Sequence, residues 1–355
     1  PVCYASGSAE FFAQGAISIL EGLGCMIHYA LEVNAEAFCL QHIAQLLLSE
    51  SDTYSHMLQD ALKKGHSFPA ARHQALEKIN GDASVSQILS EPNNILGIEY
   101  LKALKKQNSR MVPYTLKRDS SGYHDTKLQP QSSSASAIRN ALRHWEDQPF
   151  SRYPADPQQT PDGFSELLQN QLPENALRLL RDAWNQSCPI ETNDFSLLLK
   201  YRLLCETRRS LCEYQDISED LANRIIRNRN QFLNFEQSAA FKNKRTDFSR
   251  ISRGLLHILL AVKKRKYVEI PGIFLIYTKI LGFRKEHADV LRQIKENASI
   301  RLITKLGQTD SLLPETNECW NQTTFASDLY ESVVTDKYHT PYKNEYQKQI
   351  IRLTL

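Results

Sequence analysis

The chain has 355 residues, enough for two domains that each bury a core of their own. It carries 43 basic and 40 acidic residues, a net charge of +3, and 41% apolar residues, which is typical of a globular protein. No apolar run reaches the roughly 18 residues of a membrane span, and the seven cysteines include no Cys-x-x-Cys pair. These features argue against a membrane protein, a metal site and a disulfide framework, and they predict a cytoplasmic protein.

The first part of the chain alternates helix-like and strand-like segments. Apolar residues at helical spacing over 8–22 are followed by a short apolar run at 25–31 that suits a buried strand. Because strands that alternate with helices form parallel sheets covered by helices, the pattern predicts an α/β domain. The further predicted elements are helices at 35–49, 52–64, 68–80 and 93–107 and a strand at 111–118.

The segment 132–139, SSSASAIR, predicts a helix start that suits an anion. A helix N-terminus presents free N–H groups and the positive end of the helix dipole, so a phosphate can bind there beside the hydroxyls of Ser134 and Ser136. Arg139 adds a charge-assisted hydrogen bond. The alternative is an ordinary serine cap on a surface helix.

A second polar cluster, SEPNNILGIEYL, also begins a predicted helix. Asn93 or Asn94 is a candidate contact for a nucleotide, and the alternative is that one of them caps a helix that starts at Ile95. In an open α/β sheet, such element ends line the ligand crevice. The cluster therefore predicts part of a nucleotide site.

A third cluster, LKRDSSGYHD, follows the second predicted strand. Arg118 is a candidate phosphate contact, with an exposed arginine as the alternative. His124 and Asp125 suit a general base and its orienting carboxylate, although adjacent residues rarely face the same point. No Gly-x-Gly-x-x-Gly, P-loop, Gly-x-Ser-x-Gly or His-Glu-x-x-His motif is present, which argues against the standard enzymes that carry them.

The domain organisation is predicted from composition. A Pro-, Asp- and Gln-rich segment at 147–162 predicts a linker after an α/β domain at 1–146. Residues 163–266 read as helices throughout. Residues 267–355 mix strand-like runs with a helix at about 285–297, which predicts a small mixed α/β part.

Positive charge is concentrated between residues 224 and 266. Twelve Lys and Arg residues face two acidic ones there, a local +10 in a chain of +3, which predicts a polyanion such as a nucleic acid as partner. Phe235, Phe241 and Phe248 interleave with the cations and suit stacking on unpaired bases; the alternative is that they belong to the core. The cations on which this prediction chiefly rests are Arg224, Arg227, Lys242, Lys244, Arg245, Arg250 and Arg253.

Several segments resemble, in order, the bacterial tRNA(Met) cytidine acetate ligase family. They are ASGSAEFFAQGA, KKGHSFPAAR, PNNILGIEYLKAL, PYTLKR to GYHD, SASAIRNAL, FKNKRTDFSRISR, ILGFR to IRLITK, and ASDLYES. The resemblance extends over essentially the whole chain. It implies a Rossmann-like, HUP-type nucleotidyltransferase domain with a parallel sheet, followed by a mainly helical tRNA-binding domain and a small mixed α/β part.

The resemblance also implies an activity. Members of this family are expected to activate acetate with ATP as acetyl-adenylate, release pyrophosphate, and acetylate N4 of the wobble cytidine in elongator tRNA(Met). ATP, with Mg²⁺, is then a substrate, and acetate and the tRNA are the partners.

Individual residues fall on family positions. Asn93 or Asn94 and Arg118 match ATP-binding positions of the family. Residues 134–139 resemble the Ser-x-Thr-x-x-Arg end of the phosphate motif in related adenylyltransferases, which assigns Ser134, Ser136 and Arg139 to ATP. Lys242, Lys244 and Arg245 fall on the family's Lys-Thr-Lys-Arg string, in which Asn243 replaces the threonine.

Two departures from the family pattern predict reduced activity. The family begins with a strand and a His-x-Gly-His-type loop that binds ATP, and these would precede Pro1, together with any catalytic residue. Ala30 stands at an ATP-binding position where the family has the glycine of Phe-Gly-Ser-Glu; alanine restricts the backbone and its methyl group would crowd a nucleotide. We therefore expect an N-terminally truncated domain that does not make acetyl-adenylate.

Two alternatives remain at this point. An adenylyltransferase that acts on a small acceptor would not need the basic region at 224–266. A non-catalytic RNA-binding protein would need that region and could dispense with the ATP loop.

Overall fold

The computed structural model describes a helix-rich protein in which three pairs of short strands are each parallel. The described residues are 1–24, 29–33, 35–49, 51–66, 68–80, 83–117, 126–130, 133–144, 167–168, 170–241, 248–264, 277–304 and 314–354. Their α-helices are α1 Val2–Ala5, α2 Ala9–Gly22, α3 Ala37–Leu48, α4 Asp52–Lys63, α5 Phe68–Asn80, α6 Ala83–Ser90, α7 Pro92–Lys106, α8 Ala135–Arg143, α9 Glu174–Ala183, α10 Ser196–Cys205, α11 Arg208–Leu211, α12 Glu219–Asn228, α13 Phe248–Leu259, α14 Ala288–Asn297 and α15 Pro314–Tyr338. Their strands are β1 Tyr29–Val33, β2 Pro113–Lys117, β3 Tyr277–Lys279, β4 Gly282–Arg284, β5 Arg301–Ile303 and β6 Ile351–Leu353.

The α/β prediction for the first part of the chain is confirmed. β1 and β2 pair in parallel, with Tyr29 opposite Pro113 and Val33 opposite Lys117. A parallel pair needs a long crossover connection, and α3 to α7 supply it. The carboxyl ends of both strands therefore lie at one edge.

Helix α7 is the centre of this domain. Nine of its residues are buried, and it packs against α2, α3, α6 and β1. Gly97 allows the closest approach, because a Cβ atom there would lie 2.9 Å from Cγ1 of Val33. The helix can rest on β1 at this point only because the residue has no side chain.

A buried ion-pair network holds α7 to its neighbours. Glu99 is almost fully buried, and its carboxylate binds Arg72 of α5 at 3.1 Å and Lys102 at 2.7 Å. Glu10 of α2 lies 3.9 Å from Lys102 and 3.1 Å from Lys106. A buried charge is tolerated only when it is paired, and removing one partner of such a pair typically costs about 3–5 kcal/mol.

The second half of the chain forms a separate apolar core between α10, α12 and α13. Leu199 and Leu203 are buried on α10, and Ile251 and Leu255 are buried on α13. A third, smaller core joins the two ends of the described chain. Its buried members are Cys3, Tyr277, Ile303, Cys319 and Trp320.

Three of the described helices, α1, α6 and α15, were not predicted. α1 has only four residues, too few to show a helical period. α6 has only eight residues, so its apolar spacing is too short to stand out. α15 has 25 residues, but polar and apolar side chains alternate around it and give no single apolar stripe. The predicted linker at 147–162 lies outside the described residues, so the domain boundaries stay a prediction.

His257 links the N-terminal segment to the helical core. It is fully buried on α13, with Nε2 2.9 Å from the carbonyl oxygen of Ser6 and Nδ1 3.1 Å from that of Gln215. Burial lowers the pKa of His257, and the two carbonyl groups and Asp216 at 3.6 Å only partly oppose this. The imidazole is therefore more easily protonated in the unfolded chain than in the folded protein.

We expect this difference to make stability depend on pH. Because the unfolded chain binds more protons below about pH 6.5, the free energy of unfolding should decrease as the pH falls through that value. His257→Gln should reduce this dependence between pH 7.5 and 5.5, measured by urea unfolding at each pH. The exposed His56 provides the control, His56→Gln; equal pH dependence in the His257 variant and the wild type would contradict the assignment.

Candidate functional site

The carboxyl edge of β1 and β2 is the first part of the candidate site. β1 ends at Val33 and β2 ends at Lys117, and the parallel register places the two ends side by side. Arg118 follows directly and lies outside the described residues, as do His124 and Asp125. Their predicted roles stay predictions.

The first turn of α7 lies close to this edge. Gly97 contacts Val33, the last residue of β1, so Asn93, one helical turn earlier, lies beyond the strand end. The capping alternative is wrong, because α7 begins at Pro92 and Glu91 occupies the N-cap position. Proline suits the first helical position, since its missing N–H group would have no partner there.

The two asparagines have different environments. Asn94 is buried, and its Nδ2 donates a hydrogen bond to the carbonyl oxygen of Ile88 at 3.1 Å. This bond connects α7 to α6. Asn93 is half-buried and is the member of the pair with access to a ligand.

Ala30 lies within the regular β1 ladder, opposite Tyr114. An extended backbone of this kind is open to any residue, so alanine causes no backbone restriction here. That part of the expectation for Ala30 is wrong. The crowding of a nucleotide by its methyl group stays a prediction.

The serine-rich helix start has the predicted form. α8 begins at Ala135, and the hydroxyl of Ser134 accepts a hydrogen bond from the N–H group of Ala137 at 3.0 Å. Ser134 is buried and caps the helix, which is the alternative interpretation for this residue. Ser136 and Arg139 lie on the same helix face, three residues apart, and Arg139 is exposed. These two side chains are available to an anion.

The apolar face of α8 packs towards the helical part of the chain. Ile138 and Leu142 contact Leu168, and Arg143 forms an ion pair with Glu191 at 3.1 Å. Among the described residues, α8 does not pack extensively against α7 or β1, so the structure does not place Ser136 and Arg139 in one packed cluster with Asn93.

Some cations of the basic region stabilise the fold. Acidic residues that precede the region in sequence contact it in space: Asp220 pairs with Arg224 at 3.2 Å, and Asp216 binds Arg253 through both oxygens at 3.0 and 3.4 Å. Arg224 also donates to the carbonyl oxygen of Phe241. The local charge of +10 therefore overstates the charge that is available to a partner.

Other cations of the region remain exposed. Arg227 has no hydrogen bond or ion pair among the described residues, and Arg250 makes only a 3.4 Å bond to the carbonyl oxygen of Asp216. Lys242, Lys244 and Arg245 lie outside the described residues.

The three phenylalanines of the region are not equivalent. Phe235 and Phe241 are buried in the helical core, so the core alternative is correct for both. Phe248, at the start of α13, is exposed. Within the described part of the chain, no group of three or more His, Cys, Asp or Glu residues could hold a metal ion, and no helix is long and apolar enough to cross a membrane.

Comparison with known proteins identifies the family. Residues 1–346 match the HIGH Nucleotidyl Transferase family. The chain is 34% identical to the tRNA(Met) cytidine acetate ligase of Caldanaerobacter subterraneus subsp. tengcongensis, over 97% of this chain and 79% of the relative. The corresponding enzyme of Clostridium novyi is 30% identical over 97% of this chain and 81% of the relative. The chain belongs to the tRNA(Met) cytidine acetate ligase family.

Solved structures support the fold of this tRNA(Met) cytidine acetate ligase family member. The Thermotoga maritima TmcAL apo structure has a TM-score of 0.85 at 24% identity and covers 98% of this chain and 82% of that one. The same protein bound with alpha-thio ATP has a TM-score of 0.83, with coverage of 100% and 83%. The predicted fold class, a nucleotidyltransferase α/β domain followed by helices, is confirmed.

For this member of the ligase family we expect alanine substitutions of Ser134 and Ser136 to have different effects, the first on stability and the second on ATP binding. Ser134→Ala removes the helix cap and should lower the free energy of unfolding by about 1 kcal/mol. Ser136→Ala should change it by less than about 0.5 kcal/mol but weaken ATP binding about tenfold, because a hydrogen bond to a charged phosphate is lost. Chemical unfolding and calorimetric titration with ATP measure the two effects. Normal ATP affinity in the Ser136 variant would contradict the proposed phosphate contact.

Arg227 and Arg253 provide a second matched pair. Arg227→Ala should leave stability unchanged and reduce the salt dependence of tRNA binding by about 0.7 units of slope, the effect of one lost phosphate contact. Arg253→Ala should lower the free energy of unfolding by about 1 to 2 kcal/mol, because its bonds to Asp216 are lost. Filter binding over a range of salt concentrations and urea unfolding measure these quantities. An unchanged slope for the Arg227 variant would contradict a contact between Arg227 and a tRNA phosphate.

Proposed function

We propose that the protein is an ATP-dependent tRNA(Met) cytidine acetate ligase. The complete reaction forms acetyl-adenylate from acetate and ATP with release of pyrophosphate, and it transfers the acetyl group to N4 of the wobble cytidine of elongator tRNA(Met), with release of AMP. The failure of this chain to form acetyl-adenylate, expected from the sequence, stays a prediction that concerns the first step and leaves the transfer step untouched. The tRNA substrate implies a cytoplasmic location. The observation that carries the proposal is the 34% identity, over 97% of the chain, to an enzyme named for this reaction.

The α/β half is suited to the activation step. Adenylate formation develops charge on phosphate oxygens, so it depends on preorganised donors and cations more than on covalent catalysis. Ser136 and Arg139 present a hydroxyl and a guanidinium on one face of α8, and Asn93 presents an amide near the carboxyl edge of the sheet. In this proposal the three side chains bind and orient ATP, and Arg118 supplies a further phosphate contact.

Mg²⁺ is expected with ATP, and its ligands would be chiefly phosphate oxygens and water. Among the described residues, no group of three or more His, Cys, Asp or Glu residues could hold the ion by itself.

The helical half is suited to the RNA. The exocyclic amine of cytidine is a weak nucleophile, so its reaction with a mixed anhydride depends mainly on proximity and orientation. Exposed cations such as Arg227 and Arg250 bind phosphates and place the anticodon loop, whose unpaired bases are open to contact. The concentration of basic residues at 224–266 favours this function over an adenylyltransferase that acts on a small acceptor.

We expect the transfer step to be testable separately from activation. Supplied with prepared acetyl-adenylate, the protein should convert the wobble cytidine of tRNA(Met) to N4-acetylcytidine, detected by mass spectrometry of the digested tRNA. A tRNA(Met) with uridine in place of that cytidine is the control, because it lacks the amine. Acetylation at the rate found without protein would contradict the proposal.

Binding of ATP and tRNA(Met), measured separately, distinguishes the alternatives. Binding of both supports the ligase. Binding of tRNA alone would favour the non-catalytic RNA-binding protein, and binding of ATP alone would favour an adenylyltransferase with a small acceptor.

A further inference from the structure

Helix α10 exposes an apolar face. Leu197, Tyr201 and Leu204 are 77%, 65% and 51% exposed, and their spacing of four and three residues places them on one side of the helix. Leu199 and Leu203, on the opposite side, are fully buried in the helical core. The exposed face is therefore a continuous apolar strip and not a consequence of a poorly packed helix.

Leu233 extends this strip. It is 67% exposed and lies four residues after Arg229, whose Nη1 donates to the carbonyl oxygens of Leu203 at 3.3 Å and Glu206 at 2.9 Å. These bonds hold the segment after α12 against the end of α10. We call the exposed residues Leu197, Tyr201, Leu204 and Leu233 the α10 surface.

Two cations border the α10 surface. Lys200 lies on α10 itself, and Arg209 lies in α11 directly after it. Neither side chain forms a hydrogen bond or an ion pair with the described residues. Arg208 is also exposed, and it pairs with the exposed Glu219 at 3.5 Å.

The charges favour one kind of occupant. A second copy of the chain, related by a two-fold axis, would bring the same cations together, which is unfavourable. RNA complements this surface in two ways. Its phosphates carry the charge opposite to that of the cations, and its unpaired bases have apolar faces that can contact the exposed apolar side chains. A tyrosine flanked by cations is a typical stacking platform for such bases.

We propose that the α10 surface binds unpaired bases of the tRNA substrate. Tyr201 stacks on one base, the leucines contact its neighbours, and Lys200 and Arg209 bind the adjacent phosphates. The proposal rests on the proposed function, since it names where the tRNA lies. It adds residues outside the basic region at 224–266 and gives the RNA an apolar contact as well as an ionic one.

Affinity measurements with three variants of the full chain test this surface. Tyr201→Ala should weaken binding of tRNA(Met) about 5- to 150-fold without changing the salt slope, because stacking involves no phosphate. Tyr201→Phe should stay within about twofold of the wild type, since the ring is kept. Leu179→Ala is the control for loss of an exposed apolar side chain, because Leu179 lies on α9, and it should not change binding.

The outcomes separate this proposal from the proposed function. Failure of the wild type to bind tRNA would remove the proposed function and this proposal with it. Binding by the wild type with unchanged affinity in Tyr201→Ala would remove the α10 surface alone. Dimerisation of the wild type that is lost in Tyr201→Ala, seen by sedimentation velocity, would assign the surface to a second copy instead.

Cys205 offers a readout that needs no mutation. Its thiol is exposed at the end of α10, one residue after Leu204. Bound tRNA should slow its alkylation by iodoacetamide, followed by peptide mass spectrometry. Equal alkylation rates with and without saturating tRNA would contradict the proposal.

Discussion

The burial of α7 is the constraint on which the α/β half depends. The helix lies against β1, α2 and α3, and it carries Glu99 into a site where only the paired cations of Arg72 and Lys102 make a carboxylate tolerable. These contacts use the middle and end of the helix. Among the described residues, Asn93 in its first turn is half-buried and lies near the carboxyl edge of the sheet, which is where an open α/β fold binds a ligand.

In the helical half, the distribution of charge separates structural cations from binding ones. Arg253 and Arg224 are held by acidic residues, and Arg229 is held by backbone carbonyl groups. These arginines join α10, α12 and α13 around one core. Arg227, in the same basic region, is exposed and forms no hydrogen bond or ion pair with the described residues. In our proposal, one stretch of basic sequence thus supports both folding and recognition.

Local patterns predicted much of this arrangement. Helical spacing and a short apolar run located α2, α3 and α7 and the β1–β2 pair, because each depends on residues that are close in sequence. The serine-rich segment predicted α8, and the family segments predicted the fold class.

Contacts between residues that are far apart in the chain could not be predicted from local sequence patterns. Asp216 binds Arg253, and Asn94 donates a hydrogen bond to the carbonyl oxygen of Ile88. Both contacts depend on how the elements pack. The difference between Ser134 and Ser136 also depends on packing. Both residue types suit a phosphate, but the structure shows that Ser134 is buried as the helix cap and that Ser136 is only half-buried. The α10 surface was missed because a charge count along the chain does not register Tyr201.

The central claim is that one chain binds ATP at the α/β half and tRNA at the helical half. Hydrogen–deuterium exchange with each ligand alone tests it most directly. The account predicts that ATP slows exchange in the first turns of α7 and α8, and that tRNA(Met) slows exchange in α10 and α12. Protection of the same helices by both ligands, or protection of α10 and α12 by ATP alone, would contradict it.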